Sequence, residues 1–330
     1  MRKLFLISCF ALFFSTDTLV AQKTRNNEAF AHTYSIVARD AKTGEMAVGV
    51  QSHWFSVGTV VPWAKAGVGA IATQSFVNTE YGRSGIPLLA KGVSPEEVFE
   101  TIAQKDEGKA FRQVGIIDAD GNTFAHTGER NIKFADHITG KNYSVQANMM
   151  KNEKVVPAMA KAFEEYADLP LAERVINVLK AAQNAGGDIR GKQSAALIVV
   201  SGERNEKEDQ PHQIDLRVDD HQDPVQELSR LLQVKRGYEL MNQADVAIEM
   251  NQVEKALSLY NKAEELMPEN QEVKFWKAVG LLNTGETRQG LEQLKYVFKQ
   301  NRDWQELIQR LPASGLLEVD ERTMRIIEKM

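Results

Sequence analysis

Between Thr33 and Asn78 the chain reads TYSIVARDAKTGEMAVGVQSHWFSVGTVVPWAKAGVGAIATQSFVN, which admits little besides short β-strands joined by tight turns. Tyr34, Ile36 and Ala38 alternate with Ser35, Val37 and Arg39, the two-residue period of a strand. Asp40 to Gly44 supplies a turn, with Gly44 free to take a positive φ. Met46, Val48 and Val50 then put bulk on one face, while Ala47, Gly49 and Gln51 leave the other small. A small face lets a packed neighbour or a ligand come close to the backbone. Trp54, Phe55, Val57, Val60, Val61 and Trp63 are expected to fold over the core, and Gly67 to Thr73 forms another strand. The stretch begins with a hydroxyl residue, Thr33, and chemistry is to be sought there first.

Further along, the spacing predicts helices over Tyr81–Lys91 and Ser94–Gln104. The second starts with Ser94 as N-cap, Pro95 at the first helical position and Glu97 three residues after the cap. Strands follow over Gln113–Asp118, Asn122–Thr127 and Tyr143–Asn148, with Asp120-Gly121 as a hairpin turn. Two amphipathic helices, Glu153–Tyr166 and Leu171–Ala185, precede a C-capping Gly186-Gly187 pair. Ser194–Ser201 is an almost continuous apolar run, suited to a strand buried on both faces. Ile214–Val218 is the last strand expected, and Asp223-Pro224 opens a helix to about Leu232. Strands, paired helices, then strands again point to layered α+β.

From about Lys235 the composition shifts to helix formers. Asn251-Gln-Val-Glu-Lys-Ala256-Leu257 and Gly285-Glu-Thr-Arg-Gln-Gly290-Leu291 are offset by 34 residues, as are Ala263 and Val297. That is the tetratricopeptide period, with small residues where two helices cross. Two repeats at most fit, so the 235–330 tail is expected to pack on the preceding domain or on a protein partner.

The start of the chain sets its compartment. Met1-Arg2-Lys3 is basic, Leu4 to Phe14 is apolar, and Leu19-Val20-Ala21 ends in a small residue. Residues 1–21 are therefore expected to be a secretory signal, too short in its apolar core to span a bilayer as a helix. The mature protein is expected to be exported, periplasmic or extracellular, without a stable membrane span. Residues 22–32, QKTRNNEAFAH, have no pattern and are expected to be a linker or propeptide. Cys9, the only cysteine, lies inside the signal, which leaves hydroxyls, amines or carboxylates as nucleophiles. A formal net charge of −5 and the lack of a basic, aromatic-studded cluster argue against nucleic acid as a partner.

Four segments together resemble one bacterial family: Thr33-Tyr-Ser-Ile-Val-Ala-Arg-Asp40, Gly67-Val-Gly-Ala-Ile-Ala-Thr-Gln74, Gly186-Gly-Asp-Ile-Arg-Gly-Lys-Gln-Ser-Ala-Ala196 and Asp215-Leu-Arg-Val-Asp-Asp-His221. That family is domain of unknown function 1028, grouped with the N-terminal-nucleophile (Ntn) hydrolase-like folds. The resemblance covers about Thr33 to Leu232 and implies a four-layer αββα sandwich over 33–232, followed here by the helical tail.

An Ntn hydrolase attacks with the side chain of its first residue and uses that residue's own α-amine as base. The resemblance places Thr33 in that role, acting on a small amide or peptide. Thr33, however, lies behind the signal and eleven further residues, so a second cut between His32 and Thr33 is required. Without it, the same scaffold is a non-catalytic envelope module for a ligand or a protein partner.

Asn148 is a candidate oxyanion donor, and Asp188 with Arg190 a candidate clamp for a substrate carboxylate or amine, or an ion pair bracing its loop. Gln74, Ser75 and Asn78 are candidates to line the same cleft. Asp219, Asp220, His221 and Asp223 are dense in cation ligands, but Asp223 is better explained as a helix cap. His53 and His126 are not spaced as a zinc site. No metal is therefore assigned. No phosphate loop, dinucleotide fingerprint or nucleophile elbow is present, so no cofactor is expected.

Overall fold

The computed structural model describes residues 30–204 and 213–330. The expected signal and all but the last three residues of the 22–32 segment lie outside them. The chain divides into two compact units, which meet in sequence between Ser229 and Arg230.

The first unit is mixed α+β with two antiparallel sheets. One contains β1 (Phe30–Ala31), β5 (Gly69–Phe76), β6 (Arg112–Asp118) and β7 (Thr123–Thr127) in that order, with β4 (Pro62–Lys65) also pairing β5. The other runs β11 (Ile214–Val218), β10 (Ser194–Val200), β3 (Met46–Ser52), β2 (Thr33–Arg39), β9 (Tyr143–Ala147), β8 (Asp136–Gly140). The alternation read from the sequence decides which residues go where. Val37, Met46, Val48 and Val50 of one sheet meet Ala70, Ala72 and Ile117 of the other in a shared apolar core. The opposite face of β5 and β6, with Ile71, Val114 and Ile116, packs on α1 (Glu80–Leu89) and α2 (Pro95–Ala103) through Tyr81, Val98, Phe99 and Ile102. The capping box at Ser94 and Glu97 forms as its spacing predicts.

Helices α3 (Val155–Glu165) and α4 (Leu171–Asn184) pack on the six-stranded sheet. The small face of β3 is what lets α4 approach. A Cβ placed on Gly49 would stand 2.3 Å from Val175 Cγ1 and 3.5 Å from Leu179 Cδ1. A packed neighbour therefore fills the space that the sequence left open to neighbour or ligand.

Three readings are corrected. The helix that opens at Pro224 does not stop near Leu232; α5 continues to Glu249, because no proline interrupts it and Gly237 fits where a Cβ would meet Met267 at 2.4 Å. Phe55 does not fold over the core but is 60% exposed, while Val57 and Val61 are buried. Residues 30–32 are not unpatterned linker, since Phe30 and Ala31 form β1 and His32 is fully buried.

The second unit continues with α6 (Val253–Leu266), α7 (Gln271–Asn283), α8 (Thr287–Gln300), α9 (Asp303–Ile308) and α10 (Glu321–Glu328). Ala256, Ala263, Val297 and Gly290 are all buried, and a Cβ on Gly290 would meet Leu282 Cγ at 2.7 Å.

Gly49→Ala is expected to cost about 1–3 kcal/mol by overpacking. Pairing it with Val175→Ala is expected to cost less than the sum of the two single changes. Urea melts of the three variants check this.

Candidate functional site

The chain passes from one sheet to the other in three residues. Ala31 pairs with Ser75 on β5, Thr33 pairs with Ser52 on β3, and His32 lies between them. The His32–Thr33 peptide bond is therefore held where the chain crosses between the two sheets, and six of the candidate residues, Thr33, Gln74, Ser75, Asn148, Asp188 and Arg190, gather around it or its immediate neighbours.

The His32 carbonyl accepts two hydrogen bonds, from Ser52 Oγ at 2.6 Å and from Arg190 Nη2 at 2.8 Å. Arg190 is in turn fixed by Asp188, donating from Nη2 to Oδ2 at 2.7 Å and from Nε to Oδ1 at 3.1 Å. The Asp188 carboxylate is buried and also accepts from the His53 backbone N–H at 3.2 Å. The loop that presents the pair needs its glycines: Gly186, Gly187 and Gly191 take φ of 135°, 60° and 118°. It is tied back by Lys151 N–H to Gly187 O at 2.9 Å and Ile189 N–H to Met149 O at 3.2 Å. The ion pair foreseen as bracing the loop is present, and it places Arg190 on the His32 carbonyl. Two donors on one carbonyl, one of them cationic, stabilise negative charge developing on that oxygen.

Thr33 Oγ1 donates to Ala31 O at 2.7 Å, and Thr33 O accepts from Asn148 N–H at 3.1 Å and from Gln74 Nε2 at 3.3 Å. Asn148 uses its side chain in both directions. Its Oδ1 accepts from His32 Nδ1 at 2.5 Å, and its Nδ2 donates to Gln113 Oε1 at 2.9 Å. One amide hydrogen of Asn148 goes to Gln113, and the donors on the His32 carbonyl are Ser52 and Arg190. Ser75 stands in a left-handed conformation at φ 74°, an arrangement a serine adopts at a cost. Its Oγ and Gln74 Oε1 are buried without a hydrogen-bond partner among the described residues.

Behind these residues the space between the sheets turns from apolar to polar. Gln113 Oε1 accepts from Gln74 Nε2 at 2.7 Å, and Gln113 Nε2 donates to Ala147 O and to Thr127 Oγ1, each at 2.9 Å. Gln146 Nε2 donates to Ser35 Oγ at 2.6 Å, and a Cβ on Gly115 would strike the Gln146 amide at 2.4 Å. Sequence reasoning missed Ser52, His32, Gln113 and Gln146. A signal for two of them was present, because a glutamine on the inward face of a buried strand demands a polar partner there.

Other candidates fall elsewhere. Asn78 Oδ1 accepts from Glu80 N–H at 3.0 Å at the start of α1. Asp219 accepts from Ser56 Oγ at 2.5 Å, and Asp223 pairs with Lys192 at 2.9 Å. His126 lies against Phe99, ring centroids 4.5 Å apart. Among the described residues no group of three His, Cys, Asp or Glu is placed to hold a metal ion.

Residues 33–228 match the model of DUF1028, a family of unknown function. The chain belongs to this family. It is also similar to the crystal structure of protein SPO2555 from Silicibacter pomeroyi, a DUF1028 protein, at 30% identity and a TM-score of 0.55, over 61% of this chain and 88% of that one. A fainter likeness, 13% identity and a TM-score of 0.29, links it to Anbu (ancestral beta-subunit) from Yersinia bercovieri, over 59% of this chain and 91% of that one. A score that low says nothing of fold or function. No curated protein matches the chain. The DUF1028 match begins at Thr33, the residue on which the hydrogen-bond network converges.

Burial, reinforced by the nearby Arg190 charge, lowers the His32 pKa from 6.5 to about 4, against the opposing pull of Asn148 and Asp188. The unfolded histidine takes up a proton first, so this contribution is complete above pH 6.5 and is lost as pH falls toward about 4. In chain that retains His32, the loss is expected to be on the order of 3 kcal/mol. Comparing denaturation midpoints of the natural chain and His32→Gln across that window isolates it, with the variant showing the flatter profile.

Proposed function

We propose that this chain is the precursor of an exported Ntn-type amidohydrolase, with Thr33 as its nucleophile once the His32–Thr33 bond is cut. The single observation that carries the reading is the His32 carbonyl, polarised by Ser52 and Arg190 immediately before a threonine. On this reading the first unit is an Ntn-like four-layer αββα sandwich, and the second is a tetratricopeptide-like tail that engages a protein partner. The signal-like residues 1–21 support export.

The same geometry supports a cut made by the threonine itself. Thr33 Oγ1 adds to the His32 carbonyl carbon while Ser52 and Arg190 hold the developing oxyanion. The C–N bond breaks, the hydroxyl proton ends on the departing nitrogen, and the acyl group passes to Thr33 as an ester. Water then hydrolyses the ester, leaving a carboxylate at His32 and a free α-amine at Thr33. That amine, with a pKa of about 8, is a base near neutral pH, which a peptide nitrogen is not. It takes the hydroxyl proton in each later turnover on a small amide or peptide and returns it to the leaving amine.

A second reading has its own support. The pairing of β1 with β5 seats the upstream residues firmly, and a chain that stayed uncut would be a binding module with no free amine.

Intact mass and N-terminal sequencing of protein recovered from its native envelope fraction decide between them. The expected mature chain begins at Thr33. Thr33→Ala is expected to keep the upstream residues, and Ser52→Ala to slow the cut by about a hundredfold. A recovered chain beginning near Gln22 would establish the binding module instead.

A further inference from the structure

We infer that the place filled by Phe30, Ala31 and His32 is the acyl-side substrate site, and that it takes an extended peptide whose last residue carries a ring N–H donor. This rests on the Ntn reading and narrows its substrate class from small amides to peptides.

The upstream segment sits as a substrate would. β1 pairs antiparallel with β5, Phe30 opposite Phe76 and Ala31 opposite Ser75. On the same edge of β5 the β4 ladder covers Gly69–Ala72, so departure of β1 opens that edge at Ser75 and Phe76, while β6 still pairs the other edge at Ser75. A strand edge in that state recruits an extended backbone. Arg112 Nη1 donates to Phe76 O at 2.9 Å and holds the end of β5 in position for it. Ser75 Oγ and Gln74 Oε1, buried acceptors with no hydrogen-bond partner among the described residues, offer a peptide further contacts there.

The residue that donates the acyl group is specified by its side chain. The His32 imidazole donates to Asn148 Oδ1 at 2.5 Å and stands edge-on to the Phe76 ring, centroids 6.0 Å apart. Asn148 is held in that orientation because its Nδ2 is committed to Gln113. The carbonyl that Ser52 and Arg190 hold is the one a substrate would present, and after hydrolysis they would hold the product carboxylate. In turnover Thr33 Oγ1 adds to that carbon, the amide C–N bond breaks, and the leaving nitrogen takes the proton relayed by the α-amine. Water then completes the release of a peptide ending in a free carboxylate.

The test uses processed protein whose N-terminus has been sequenced. The peptide Glu-Ala-Phe-Ala-His with a free carboxylate, residues 28–32 of the chain, is titrated by calorimetry beside Glu-Ala-Phe-Ala-Asp. The first is expected to bind about tenfold more tightly, because aspartate leaves the Asn148 acceptor unpaired. Aminocoumarin amides of the two peptides are expected to show the same order in kcat/KM, and acetyl-histidine amide, which cannot extend β5, is expected to be cleaved poorly. Asn148→Leu is expected to erase the preference for histidine. The comparison between peptides in the natural protein needs no variant and stands if that one fails to fold. Equal binding of the two peptides, or cleavage of acetyl-histidine amide as fast as the pentapeptide, overturns the inference alone. A protein that still carries residues 22–32 overturns it together with the Ntn reading.

Discussion

One carbonyl organises the site. The His32 oxygen draws Ser52 from β3 and Arg190 from the glycine loop, and Arg190 brings the buried carboxylate of Asp188 with it. A carboxylate in that position is tolerable only while paired, since losing its partner would strand a charge away from water. The loop, the start of β2 and the end of β3 are therefore mutually dependent. A change to any one of them is felt at the peptide bond between His32 and Thr33.

The same logic runs deeper between the sheets. At one end the facing surfaces are valine, alanine and isoleucine, and apolar burial holds them. At the other end the layer consists of Gln74, Gln113, Gln146, Asn148 and Ser35, whose carboxamides and hydroxyl bond to one another and to backbone carbonyls. A polar layer adds little net stability, because each bond replaces one made with water. What it contributes is position. Gln113 can satisfy Gln74 and Asn148 only in one arrangement, and this fixes the groups that touch His32 and Thr33.

Much of this was legible in the sequence, for identifiable reasons. Thr33, Gln74, Ser75, Asn148, Asp188 and Arg190 stood out because each lies at the end of a strand or in a glycine-bounded loop, where side chains serve purposes other than core packing. The two-residue β1 was invisible because alternation needs at least four residues to show. With it went His32, whose burial depends on partners far away in the chain. β8, Asp-His-Ile-Thr-Gly, carries one aliphatic residue and forms because β9 offers an edge. Ser52 was passed over because a serine closing a valine-rich strand looks like a turn residue until its neighbour opposite is known to be Thr33. The length of α5 escaped for a different reason: composition changes near Lys235, but no proline occurs there, and the one glycine, Gly237, is held in the helix by its packing against Met267.

Distance along the chain also constrains the order of events. Ser52 comes from the hairpin partner of β2, whereas Arg190 comes from a loop that follows both helices of the six-stranded sheet. The Asn148 that orients His32 closes β9. Both donors on the His32 carbonyl come together only when the chain from His32 to Arg190 has folded, so a cut that depends on them can follow that folding but cannot precede it. The upstream strand would accordingly serve twice under the Ntn reading. While attached, it completes the edge of β5 and keeps the buried polar layer from water. Once severed, it is held by non-covalent contacts, among them the pairing of β1, the imidazole contact to Asn148, the Thr33 hydroxyl on Ala31 O and the new carboxylate against Ser52 and Arg190. A segment without a covalent link can exchange with other peptides of its own shape, and on that reading the seal of the precursor would become the site of the mature protein.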